Sequence, residues 1–174
     1  MDIQTYLHRI HFQGLVQSDF DTLRGLHIAH MRAIPFENLD IALKRPIHID
    51  EASLWDKIVV NKRGGFCYEL NGLFAWLLKQ IGFEVAYLNG RVFNKEGKSG
   101  IEQARGLRAY RLEEISDGFV AWQKNYDGAW ERQYFFDVTP RTFPQDYEAG
   151  CLYHQTSPNT SFTQHSIISR ATDD

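Results

Sequence analysis

The sequence predicts an α+β protein, helical over residues 1–84 and antiparallel β over residues 85–174. Three observations predict it. Helical spacing of apolar residues, with cap residues in place, recurs through the first half. The stretch 70–81 carries the clearest buried stripe in the chain. The second half holds short β-like runs separated by Asp-Gly turns.

Residues Met1 to His11 read as a short helix. Ser18 or Asp19 caps a second helix that runs to about Arg32, turns Leu23, Leu26 and Met31 toward a core, and stops before Pro35. Asp50 caps a third, with Leu54, Ile58 and Val59 on one side. After Gly64 and Gly65, Leu70, Leu73, Phe74, Leu77 and Ile81 repeat at helical spacing, and Gly82 sits where a C-terminal glycine belongs. Val85 to Leu88 and Arg91 to Phe93 then read as strands, and 94–106 as a polar loop. Ala109 to Leu112, Phe119 to Trp122 and Gln133 to Phe136 follow as strands, with turns at Asp117-Gly118 and Asp127-Gly128.

The 174 residues are 43% hydrophobic and 24% charged, with net charge −3, which fits an ordinary globular chain rather than a disordered one. No basic block suggests nucleic acid. No basic amphipathic segment or long apolar run suggests a membrane, and the N-terminus lacks the form of a secretory signal. Cys67 and Cys151 are therefore expected as free thiols in a cytoplasmic protein. His8 with His11, and His27 with His30, have the i, i+3 spacing of metal ligands. With no third ligand they read as packed or solvated helix faces, and no metal is expected.

The segment 63–71, RGGFCYELN, carries the chemistry. Two glycines allow a tight turn, after which Cys67 enters a helix at its first turn. Unpaired amides and the helix dipole there favour a thiolate and could hold an oxyanion. A free cysteine is as readily a small buried residue. Arg63, Glu69 and Asn71 around it tip the reading toward a nucleophile, because they would make a poor apolar core.

Taken as a whole, RGGFCYELN resembles the active-site motif of arylamine N-acetyltransferases. Residues 30–40, HMRAIPFENLD, resemble that family's IPFENL element, and 153–162, YHQTSPNTSF, its TSPxSxF element. The resemblance implies a helical bundle carrying the nucleophile, an antiparallel β-barrel of papain-like acyltransferase type, and a C-terminal lid that is truncated here. It implies acetyl-coenzyme A as co-substrate, an arylamine or arylhydrazine acceptor, and a role in xenobiotic metabolism. Cys67 carries over as nucleophile, Arg63 and Glu37 as polar residues that pair and hold the glycine turn, and Phe36 and Tyr68 as residues facing the acceptor. The plainer alternatives are a surface ion pair worth under about 1 kcal/mol for Arg63 and Glu37, and core packing for Phe36.

The pattern departs from the family in one place. Its triad histidine and aspartate should follow Gly90-Arg91-Val92, yet no histidine lies between His48 and His154. Asp137, before Val138, is not read as the triad aspartate, and His154 and His165 are expected in the barrel, away from Cys67. Omitted residues, an internal deletion, or a catalytically impaired relative that binds aromatic amines or coenzyme A without turnover would each account for this. Omission fits best, since deleting central barrel strands exposes edges. A papain-like peptidase or transglutaminase rests on the cysteine-before-helix pattern alone.

Overall fold

The computed structural model describes residues 1–92 and 110–172. The segment 94–106, read above as a loop, lies outside the described residues.

Three aspartates start the first helices as their positions suggest. Asp2 accepts from the Thr5 amide (2.8 Å) at α1, Ile3–Arg9; Asp19 from Thr22 (2.8 Å) at α2, Phe20–Ala33. A two-residue strand, β1 (Phe36–Glu37), and a one-turn helix, α3 (Leu39–Ala42), follow. Asp50 accepts from Ser53 (3.0 Å) at α4, Glu51–Trp55. The chain then winds through a π-helical turn, Asp56–Val60, into the loop before α5, Cys67–Ile81. Gly82 ends α5 at φ 105°, a left-handed conformation that glycine adopts without strain.

The strands form an open antiparallel sheet in the order β2-β5-β4-β3, from β2 (Gly90–Val92), β3 (Tyr110–Ile115), β4 (Gly118–Lys124) and β5 (Trp130–Phe136). Residues 142–172 carry two helices, α6 (Glu148–Thr156) and α7 (Ser161–Gln164), before β6 (Ile168–Ser169) pairs with β1.

Two compact units result. One is Met1–Val85 with the segment from Thr142 onward; the other is Ala86–Arg141. The boundary at 84/85 marks where the helices give way, but the chain after Thr142 returns to the helical unit instead of continuing a β domain. The α+β class stands, and the antiparallel sheet is open among the described residues. Four described strands leave β2 and β3 as edges, too few to curl into a closed cylinder. Val85 to Leu88 holds only a single bridge, Tyr87 to Arg141, so the strand begins at Gly90.

The helical core gathers Tyr6, Leu26, Leu54, Ile58, Phe66, Leu73 and Leu77, all essentially inaccessible, with Leu70, Phe74 and Ile81 packed against it. Met31 points outward instead, 47% exposed, because Leu26 and His30 take the inner face of α2. His30 is buried: its Nδ1 meets the Tyr6 hydroxyl at 2.8 Å, and its ring packs on Phe74. His27 packs on Phe74 as well.

Burial drives the His30 pKa down to about 4. The unfolded chain binds that proton near pH 6.5, so stability is intact above 6.5 and is lost as pH falls toward 4. The full loss is about 3 kcal/mol. Thermal melts between pH 7 and 4.5 should show a falling midpoint in the wild type and a visibly shallower fall in His30→Gln.

Candidate active site

Cys67 is the first residue of α5, and the turn before it is held on both sides. Glu37 N–H donates to the Gly65 carbonyl (2.9 Å), and Gly65 N–H to the Pro35 carbonyl (3.3 Å), so Gly65 bridges to Phe36 of β1 in parallel. A side chain on Gly64 would collide with the Pro35 carbonyl oxygen. Gly64→Ala is therefore expected to cost about 1–3 kcal/mol by overpacking, measurable by denaturant titration. At the helix start, Glu69 reaches back to accept from Phe66 N–H (3.0 Å). Phe66 has no side-chain acceptor to return the bond.

Beneath this turn lies a set of five charges, the three carboxylates buried and the two cations partly exposed. Arg63 pairs with Glu37 (2.9 Å) and Asp40 (2.7 Å). Lys57 pairs with Glu69 (2.7 Å) and Asp40 (2.8 Å), with Glu37 at 3.9 Å. Glu37 also accepts from the Leu39 amide (2.7 Å). These are not loose surface pairs, since Glu37, Asp40 and Glu69 are all buried. Burial raises the Asp40 pKa, but hydrogen bonds from Arg63 and Lys57 outweigh it and the net direction is down. For Glu69 burial prevails over Lys57 and the pKa rises. Arg9 of α1 clamps the same loop, donating to the carbonyls of Ile58 (2.9 Å), Ala33 (3.0 Å), Lys62 (3.3 Å) and Arg63 (3.3 Å).

The second and third motifs meet here through Asn38. Its Nδ2 donates to the Phe162 and His165 carbonyls (2.8 Å each), and its Oδ1 accepts from Ile167 N–H (2.6 Å). Phe162 is thereby set among aromatic rings: Phe36 at 6.2 Å between centroids, Phe66 at 5.8 Å and His154 at 5.5 Å. Tyr68 stands 5.9 Å from His154 and 6.3 Å from Tyr147. Phe36 and Tyr68 are half-buried, on the rim of this group. His154 lies on α6 within the helical unit and His165 just after α7, a correction to their expected place in a barrel. The His154 Nδ1 is buried with no hydrogen-bond partner, and burial lowers its pKa.

Cys67 itself is partly exposed and packs beside the core. Burial raises its thiol pKa from 9.0 to about 11; the amides of Tyr68 and Cys67 pull the other way, and Glu69 adds to the rise. The dipole effect expected at this helix end is present but is overcome by desolvation. Cys151 is free and buried, its sulfur accepting from Gln155 (3.2 Å). Asp137 caps Thr139 (2.8 Å) and pairs with Arg141 (3.3 Å), a turn-holding role. Among the described residues no group of three or more possible ligands could hold a metal, and no helix is long and apolar enough to cross a membrane.

The sequence reading had Cys67, Arg63, Glu37, Phe36 and Tyr68. It gave no role to Lys57, Asp40, Asn38, Phe162 or His154. Asn38 and Asp40 stood inside a quoted motif; Lys57 had no signal at all.

The N-acetyltransferase family model matches this chain in two pieces, residues 19–105 and 96–174. An arylamine N-acetyltransferase of Escherichia coli (strain K12) is 31% identical over 202 residues, covering 95% of this chain and 71% of the relative. One from Mycolicibacterium smegmatis is 31% identical over 217 residues, covering 100% and 78%. The structure of the Mycobacterium marinum arylamine N-acetyltransferase in complex with CoA superposes with a TM-score of 0.87 at 28% identity, covering 99% of this chain and 78% of that one.

Proposed function

Since the chain belongs to the arylamine N-acetyltransferase family, its chemistry is acetyl transfer from acetyl-coenzyme A to an arylamine, and we propose that Cys67 is the acyl carrier. The observation that carries this is the placement of one partly exposed sulfur under the first amides of α5. In the first step the Cys67 sulfur attacks the thioester carbonyl, coenzyme A leaves as its thiol, and an S-acetyl cysteine remains. In the second, the acceptor nitrogen attacks that thioester; its proton is lost and the Cys67 thiol is regenerated. The amides at the helix start are placed to receive the oxyanion in both steps.

Arg63 and Glu37 act by position. With Asp40, Lys57 and Glu69 they fix the glycine turn, so the sulfur is presented without rearrangement. Phe36 and Tyr68, linked through Phe162 and Phe66, offer apolar faces of the kind an arylamine or arylhydrazine ring stacks on. No histidine lies between His48 and His154 in this sequence, and the acetylation rate of this chain is expected to follow the Cys67 thiolate population. Cytoplasmic xenobiotic acetylation is the setting we infer, with no nucleic-acid or membrane partner.

Peptide mass spectrometry after incubation with acetyl-coenzyme A tests the proposal. An acetyl thioester on the peptide holding Cys67, discharged by an added arylamine, is expected. Acetylation only on lysines, or a Cys67 adduct that an arylamine leaves intact, would refute it.

A further inference from the structure

Gly150 has no local reason to be in α6. It lies in the first turn of that helix and does not take the left-handed conformation that calls for glycine. Inside a helix glycine is less favourable than alanine, because it gives up more backbone freedom on folding. The reason for it is the first turn of α5.

A methyl group on Gly150 would stand 2.7 Å from the Tyr68 hydroxyl oxygen, 3.6 Å from Cζ and 3.8 Å from Cε1. The tip of Tyr68 therefore rests on bare helix backbone. Tyr147 and His154, about one turn to either side of Gly150, flank the same ring at 6.3 Å and 5.9 Å between centroids. Positions 147, 150, 151 and 154 share one helix face, so the seat is a single stripe of α6. The helix beneath it is fixed. Cys151 is 1% exposed, and Gln155 bonds to both the N–H (2.7 Å) and the carbonyl (3.2 Å) of Ile47. Seat and ring belong to the same compact unit.

We propose that Gly150 sets the width of the acceptor side of the site, letting Tyr68 stand back far enough to admit fused two-ring arylamines. The inference rests on the reading that Tyr68 faces the acceptor. A side chain at 150 meets an anchored helix and a ring that Tyr147 and His154 keep from sliding along it. Phe66, buried in the core 5.2 Å from Tyr68, closes the inner side. Tyr68 is half-buried, so the ring yields toward its open side and narrows the space there. A fused bicyclic amine needs that space, and a single ring needs less of it, so overpacking at Gly150 selects by acceptor size. The hydroxyl is the atom in conflict. A phenylalanine ring in the same place keeps its apolar face and leaves Cζ at ordinary contact distance from the added methyl.

Isothermal titration calorimetry of the full chain with aniline and with 2-naphthylamine tests this and needs no turnover. The wild type is expected to bind 2-naphthylamine more tightly than aniline. Gly150→Ala should raise the dissociation constant for 2-naphthylamine at least about tenfold and that for aniline less than about threefold. Its thermal melt should match or exceed that of the wild type, as alanine in a helix favours. Adding Tyr68→Phe to Gly150→Ala should return 2-naphthylamine to within about threefold of the wild type. The proposal is overturned by a wild type that binds neither amine, by Gly150→Ala weakening both equally or leaving 2-naphthylamine unchanged, or by a loss that Tyr68→Phe does not relieve. Acetylation of Cys67 remains the separate measure of the chemistry. If Tyr68→Ala changes neither constant, Tyr68 does not face the acceptor, and the inference falls with that reading.

Discussion

Cys67→Ser should reduce acetyl transfer to the uncatalysed background, a fall of at least about a thousandfold in turnover. A serine hydroxyl in the same place has no base to ionise it, and the two amides that address the sulfur cannot supply that loss. The wild type carries a second signature of the same group. Its thiol has moved from 9.0 to about 11, which corresponds to about 2.7 kcal/mol. A helix N-terminus offers only about 0.3–1 kcal/mol in the other direction, so desolvation decides the sign. At pH 7 the thiolate is then about one part in ten thousand. Single-turnover acetylation of Cys67 should climb about tenfold per pH unit from 7 toward 10 and level off near 11. A plateau reached by pH 8 would show a cation beside the sulfur and would remove this account of the rate.

What the sequence disclosed and what it hid follow from the range of the interactions. The α5 helix was legible because its apolar stripe is local, and the Arg63–Glu37 pair because both residues sit in recognisable motifs. Glu69 was visible as a polar neighbour, and its position three residues after Phe66 hints at its reach back to that amide. Lys57 was not legible. It stands between Asp56 and Ile58 as an ordinary solvated lysine would, and only the π-helical turn at Asp56–Val60, which adds a residue to the local winding, aims it inward. The return of residues 142–172 to the helical unit was missed for a related reason. The helix α6 starts after Tyr147, whose side chain makes no cap hydrogen bond, and its anchoring depends on a ring distant in sequence, Tyr68. The barrel came from resemblance rather than from the residues, and the four-stranded sheet shows how far that could be carried.

Lys57→Met is expected to destabilise the protein by about 3–5 kcal/mol, because it leaves a buried carboxylate without its cation. Glu69 is 1% exposed and its ion-pair partner is Lys57 at 2.7 Å; Arg63 is committed to Glu37 and Asp40. In a chain of this size each kcal/mol lowers the melting midpoint by about 2–4 °C. The loss is thus a large part of a typical stability of about 5–15 kcal/mol. The remedy distinguishes charge from packing. Lys57→Met with Glu69→Gln keeps an oxygen for the Phe66 amide and removes the stranded charge, so it should recover most of the loss. Acid should act in the same direction. Burial raises the Glu69 pKa even with Lys57 present. In the single variant the penalty is therefore full at neutral pH and shrinks as pH falls and Glu69 takes up a proton. A double variant no more stable than Lys57→Met, or a deficit that is constant from pH 7 to 5, would show that the lysine stem packs the site and its charge does not.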